Sequence, residues 1–178
     1  MATRKILTEG EPFLYKHSRA VTEFNTRLHT LLDDMRETLR GAEGVGLAAP
    51  QVGVLRRAVL ILETNVDKEN GEEERMLELV NPELLEAEGE QDGAEGCLSI
   101  PGLYGYVQRP ERVIVRAQDR DGNIFTYEGR GLTARAVCHE IDHLEGRLFR
   151  ALAQGALMTS EELDAIEKAK ETTKGKTL

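Results

Sequence analysis

His139-Glu140-Ile141-Asp142-His143 places two of the chain's four histidines four positions apart, and the rest of the chain is best read outward from it. On an α-helix, side chains at i and i+4 stand on one face, about 6 Å apart along the axis. Two imidazoles so placed can share one divalent metal. Glu140 sits beside them, close enough to reach a metal-held water but poorly aimed at the metal itself. H-E-x-x-H is a signature of metal-dependent hydrolysis, although an exposed helix also carries five such residues by chance. A helix is expected here, with Thr133 as its N-cap and Gly146 as its stop.

Strands surround that helix. Arg112 to Ala117 and Ile124 to Glu128 alternate across a turn containing Asp121-Gly122, which predicts a hairpin. Arg57 to Leu62 is β-rich, and Met76 to Glu90 reads as one or two strands interrupted at Asn81-Pro82. Near the start, Thr22 caps a helix whose apolar residues Phe24, Leu28, Leu31, Leu32, Met35 and Leu39 keep 3–4 spacing, with Gly41 as the stop. A last helix runs from Ser160 to about Lys170, followed by a polar tail. Strands between an early and a late helix predict an α+β fold. No internal repeat or linker breaks the chain. The expected organisation is a single domain over 1–158, with a C-terminal helix and tail over 159–178.

Composition narrows the function classes. A chain of 178 residues with 40% hydrophobic and 31% charged residues is that of a globular protein able to bury roughly 70% of its unfolded surface. No apolar run approaches the ~20 residues of a membrane span, and the N-terminus lacks the apolar core of a signal peptide, so a cytoplasmic protein without membrane contact is expected. Two cysteines, Cys97 and Cys138, make no disulfide framework. The net charge of −9 is uneven: 13 acidic residues face 2 basic ones between Glu63 and Glu95, leaving the remainder close to neutral. Such a surface argues against a chain built to grip nucleic acid. The acidic stretch 67–74 reads as a solvated loop, followed by an outward strand face.

A metal needs more than two imidazoles, and no histidine follows His143. Glu145 lies too far round the helix; Glu161 and Glu162 are the remaining candidates downstream. Upstream stands Cys97, in Glu95-Gly96-Cys97-Leu98-Ser99, where a thiolate could complete a zinc or ferrous site. The alternative for Cys97 is a small buried hydrophobe, which glycine and polar neighbours fit poorly. Cys138 points roughly 100° away around the helix from His139 and reads as core. Gly44-Val45-Gly46-Leu47-Ala48-Ala49-Pro50-Gln51 is a small-residue segment that lets a backbone approach a ligand, or simply turns into a strand. It lacks the Lys-Ser/Thr ending of a phosphate loop.

Together, G-V-G-L-A-A-P-Q (44–51), E-G-C-L-S (95–99) and H-E-I-D-H (139–143) resemble the bacterial peptide deformylases, marked by G-φ-G-φ-A-A-x-Q, E-G-C-φ-S and H-E-φ-D-H. No fixed position is mismatched, and the resemblance spans roughly residues 5–155. It implies mostly antiparallel sheets around a central metal-binding helix. The implied reaction is removal of the formyl group from the N-terminal formylmethionine of new polypeptides, releasing formate. Cys97, His139 and His143 would hold the metal. Glu140 would act as general base and acid, and Gln51 and the Leu98 N–H would meet the oxyanion. Gly46 would pair with the substrate main chain, Val45 and Leu132 would wall the methionine pocket, and Glu95, Arg109 and Asp142 would form supporting ion pairs. A surface salt bridge is the alternative for the last three.

The resemblance implies Fe2+, with Ni2+, Co2+ or Zn2+ able to substitute; two imidazoles and a thiolate do not choose among them. The implied partners are N-formylmethionyl nascent peptides and, transiently, the ribosome. The acidic-to-basic order of the last helix follows from the helix dipole and carries no argument for docking. Tyr15 and Tyr104 stand where many relatives have arginine, which leaves open the preference beyond the first substrate residue. An H-E-x-x-H endopeptidase and a non-catalytic metal- or peptide-binding relative remain as rival readings.

Overall fold

The computed structural model describes residues 2–42, 44–63 and 75–174. Strand β2 (Ala58–Glu63) shows why the domain has layers. Its side chains alternate between two cores: Ala58 and Leu60 pack with the early helix, Val59 and Ile61 with the late one. A strand covered on both faces reads as an unbroken apolar run, as 58–62 does. Around it a five-stranded antiparallel sheet runs in the order β1-β2-β3-β6-β7, with β1 (Gly46–Ala48), β3 (Arg75–Glu88), β6 (Arg112–Gln118) and β7 (Ile124–Arg130). Helix α1 (Thr26–Ala42) covers one face with Leu28, Leu31, Leu32, Met35 and Leu39. Helix α2 (Gly131–Leu144) covers the other with Ala134, Val137 and Leu144. β1 is an edge strand.

A second sheet is the hairpin of β4 (Gln91–Cys97) and β5 (Ile100–Arg109). It rests on a third apolar cluster of Leu14, Ile100, Val107, Leu148 and Phe149. The chain after α2 returns to cover β5: Tyr104 and Met158 exchange backbone hydrogen bonds of 2.8 Å, and the Gln154 N–H donates to Tyr106 O. Helix α3 (Ser160–Lys174) follows, capped by Thr159, whose hydroxyl and N–H pair reciprocally with the N–H and carboxylate of Glu162.

Several local expectations need correction. Helix α1 is capped by Asn25, not Thr22: the Asn25 Oδ1 accepts the N–H groups of Arg27 and Leu28. Phe24 therefore precedes the helix, and Gly41 lies within it. Asn81-Pro82 does not divide the strand. Asn81 adopts φ 50°, absorbing a bulge, while its amide grips the N–H and C=O of Val21. Thr133 is not the cap of α2 but lies inside its first turn, its buried hydroxyl without a partner. The expected hairpin turn and the stop at Gly146 (φ 72°) agree with the structure. The acidic stretch 67–74 lies outside the described residues; Glu83, Glu86 and Glu88 are outward as expected and paired with Arg116 and Arg112. Among the described residues no helix is long and apolar enough to cross a membrane.

Candidate active site

Helix α2 brings His139 and His143 to one face, ring centroids 5.0 Å apart and edge to face. The end of β4 brings Cys97 against them. One ligand atom from each of the three lies within 4.8 Å of the others, with Cys97 Sγ 3.3 Å from His143 Nε2. Metal–ligand bonds of about 2.0–2.3 Å put tetrahedral ligand atoms roughly 3.3–3.8 Å apart, so the donor set fits a divalent ion. Burial keeps His143 well below its ordinary pKa, whereas at His139 burial is outweighed by hydrogen bonds with Cys97 and Glu95, which raise it to about 10; a bound ion must displace that proton.

Glu140 supports the same fit. It is 4% exposed, and its Oε2 is buried with no hydrogen-bond partner. Burial pushes its carboxyl up to about 7, against the pull of His139. An orphaned carboxyl oxygen beside a cysteine sulfur and two imidazoles calls for a ligand between them. Gly46 presses against this carboxylate, where a Cβ would stand 2.8 Å from Glu140 Cδ.

Gln51 faces the cluster from the short 3-10 turn after β1. Its Oε1 accepts the Ala48 N–H at 2.8 Å, so the amide must turn its Nε2 toward the site. There Nε2 donates to Ser99 Oγ at 3.1 Å and lies 3.6 Å from Cys97 Sγ. Leu98 and Ser99 form the tight link of the β4–β5 hairpin, and the Ser99 N–H points at Cys97 Sγ, 3.4 Å away.

Behind the histidines lies a buried ionic network. Arg109 grips both oxygens of Glu95 at 2.7 and 3.0 Å and reaches Asp142 at 2.7 Å. The three side chains are 3–9% exposed, which rules out the surface salt bridge. Glu95 in turn accepts from His139 Nδ1 at 2.9 Å, which aims Nε2 into the cluster. Burial raises the Glu95 carboxyl, but hydrogen bonds from His139 and Arg109 prevail and hold it at about 2. Cys138 is buried in the core, as its helical angle requires.

A cleft of about 540 Å³ opens beside the cluster, lined by Val45, Gly46, Leu98, Leu103, Tyr104 and Leu132, with Gln51, Cys97, His139 and Glu140 at its base. The residues expected to act on metal, water or substrate are therefore at this cleft or, for His143, directly behind it, while Arg109 and Asp142 stand in the buried ionic network. Sequence reasoning missed Arg135, buried and bonded to Glu95, and Ser99, the acceptor that holds Gln51. The signal for Arg135 was present: it precedes His139 by four positions, on the histidines' own face.

Comparison with known proteins agrees. Residues 3–155 match the family model described as polypeptide deformylase. The peptide deformylase of Caldicellulosiruptor bescii is 54% identical over 149 residues, 84% of each chain. A crystal structure of a peptide deformylase from Legionella pneumophila superposes with TM-score 0.79 at 39% identity, covering 97% of this chain and 96% of that one. A Met-Ala-Ser-bound class I type b enzyme from Acinetobacter baumannii gives 0.78 at 33%, covering 85% and 98%. The endopeptidase reading falls, since no downstream ligand joins the cluster among the described residues. With all three motifs converging on one cleft inside the matched span, the chain belongs to the polypeptide deformylase family, metal-dependent hydrolases that remove the formyl group from N-terminal formylmethionine.

Proposed function

We propose that Cys97, His139 and His143 hold the catalytic ion and that Glu140 moves the protons of deformylation. The orphaned Glu140 Oε2 beside the three donors is the observation that carries this reading. When bound, the ion acidifies water and polarises the formyl carbonyl. Glu140 takes a proton from the water that attacks the formyl carbon and returns it to the departing amine, a task suited to a carboxyl pushed up to about 7. The formyl oxygen, as it gains charge, meets Gln51 Nε2 and the Leu98 N–H. The products are formate and a free methionine amine.

The open edge of β1 at Gly46 receives the peptide main chain as an added strand, and Val45 and Leu132, 39% and 45% exposed, wall the methionine side chain. The relative solved with Met-Ala-Ser supports a cleft that takes a short N-terminal peptide. The ion is ferrous iron, replaceable by nickel, cobalt or zinc. Residues 1–158 form the catalytic domain and 159–178 a C-terminal helix and tail. The protein acts in the cytoplasm on nascent chains, in transient contact with the ribosome; co-sedimentation with translating ribosomes tests the contact.

The deciding experiment is formate release from formyl-Met-Ala-Ser by anaerobically iron-loaded protein beside Glu140→Ala. Rapid release by the wild type, falling at least 10²-fold in the variant with metal content unchanged, is expected. No formate from fully metallated wild type would leave a non-catalytic relative that binds metal or peptide.

A further inference from the structure

Arg135, His139 and His143 form one stripe on α2, spaced i, i+4 and i+8. The Arg135 guanidinium is buried and its donors are spread over four acceptors. Nη1 donates to Val107 O at 2.8 Å, Glu95 Oε1 at 3.0 Å and Gly93 O at 3.3 Å, and Nη2 to Gln91 O at 3.2 Å. All four acceptors belong to the β4–β5 hairpin. That hairpin is a sheet of its own, and its last β4 residue is Cys97. Among the described residues no backbone ladder joins the hairpin to the five-stranded sheet, so side chains carry the direct ties between the hairpin and α2. Arg109 makes one such tie, from β5 to Asp142 on α2; Arg135 makes the opposite one, from α2 into the hairpin. Gly93 is its seat: a Cβ there would lie 2.9 Å from Arg135 Nη2 and 3.1 Å from Cζ. The Gly93 backbone is not in the left-handed region, so space for the guanidinium is what the missing side chain provides.

We propose that Arg135, seated on Gly93, is a positioning residue that fixes the Cys97 thiolate against His139 and His143 and thereby sets how tightly the ion is held. This rests on the assignment of those three residues as ligands. A planar fork can satisfy several carbonyls at once, whereas a lysine is a single point of charge. Loosening the fork frees the hairpin, and partners that orient ligands typically govern metal affinity by about 10–100-fold.

The test compares Arg135→Lys, Gly93→Ala, the double variant and Cys97→Ser. Each is titrated with Co2+ against a chromophoric chelator, with the near-ultraviolet thiolate-to-cobalt band recorded. Arg135→Lys and Gly93→Ala should each weaken cobalt affinity about tenfold or more and shift the band. The double variant should match either single one, because both act through one contact. The KM for formyl-Met-Ala-Ser at saturating metal should not move in Gly93→Ala, because Gly93, unlike Arg135, does not line the cleft. Should Arg135→Lys fail to fold, Gly93→Ala, which keeps every charge, decides alone. Wild-type affinity and band in Gly93→Ala would overturn the proposal, as would a raised KM with unchanged affinity, which would make Arg135 a wall of the peptide cleft. Cys97→Ser that still binds cobalt like the wild type would instead sink the ligand assignment. Loss of the band in Cys97→Ser alone would sink only the role of Arg135.

Discussion

Glu140 packs directly against the backbone of Gly46 on one side. The proposed metal ligands Cys97, His139 and His143 lie on the other. Gly46→Ala would drive a methyl group into the carboxylate, and a misplacement of about 1 Å at a reacting group lowers turnover on the order of 10²-fold. We expect that loss in formate release with metal content unchanged and a modest fall in melting temperature. Activity within threefold of wild type would show that Glu140 can work from elsewhere. The residues proposed to do chemistry were legible in the sequence because three short motifs, each with a structural alternative by itself, occur together: paired histidines, a cysteine between glycine and leucine, a glutamine after small residues. Arg135 showed only its place on the histidines' face, since an arginine on a helix usually means a solvated face, and Gly93 showed nothing, since a glycine usually means a turn. Only the folded chain shows one lying on the other.

Between elements, Glu78 of β3 is the joint that locks α1 and the β6–β7 turn to the sheet. It accepts from Arg36 at 2.5 Å and from Arg120 at 2.9 and 2.5 Å, with its side chain 11% exposed. Burial raises its carboxyl, yet the hydrogen bonds from Arg120 and Arg36 hold it below the ordinary 4.5. A folded-state pKa below the unfolded one means stability that is fully present above the unfolded value and is lost as pH falls through the folded one. Glu78→Gln should therefore lose about 1–3 kcal/mol at pH 7, measured by urea unfolding, with the gap to wild type narrowing below about pH 4. A gap that stays constant down to pH 3 would mean the charge is not what binds the joint. At this scale the sequence was legible wherever one face of an element is apolar, as in α1, β2 and the β6–β7 hairpin. It was opaque over 91–109. β4 reads Gln-Asp-Gly-Ala-Glu-Gly-Cys, and the residues it contributes inward are Glu95 and Cys97, so no apolar alternation announces a strand. The interruption expected at Asn81-Pro82 failed for a related reason: a side-chain amide supplied the hydrogen bonds that keep the strand continuous.

The molecule as a whole places a half-buried cysteine sulfur at the base of an open cleft. Ferrous iron beside such a sulfur exposes it to oxidation. Iron-loaded protein should lose activity in air while nickel-loaded protein keeps it; equal half-lives of the two forms, with and without oxygen, would remove the idea. Mass spectrometry of Cys97 in the inactivated protein should find the added oxygen atoms there.

The five-stranded sheet leaves one side of β1 unpaired, and that strand is only three residues long. Main-chain hydrogen bonds carry no side-chain information, so whatever docks there is measured by length rather than spelled out. A ledge this short acts as a ruler that admits the loose tip of a chain and gives no purchase to the middle of one. If the proposed strand addition holds, a single generalist can thus serve a whole proteome of chains that share formylmethionine and differ in every residue after it.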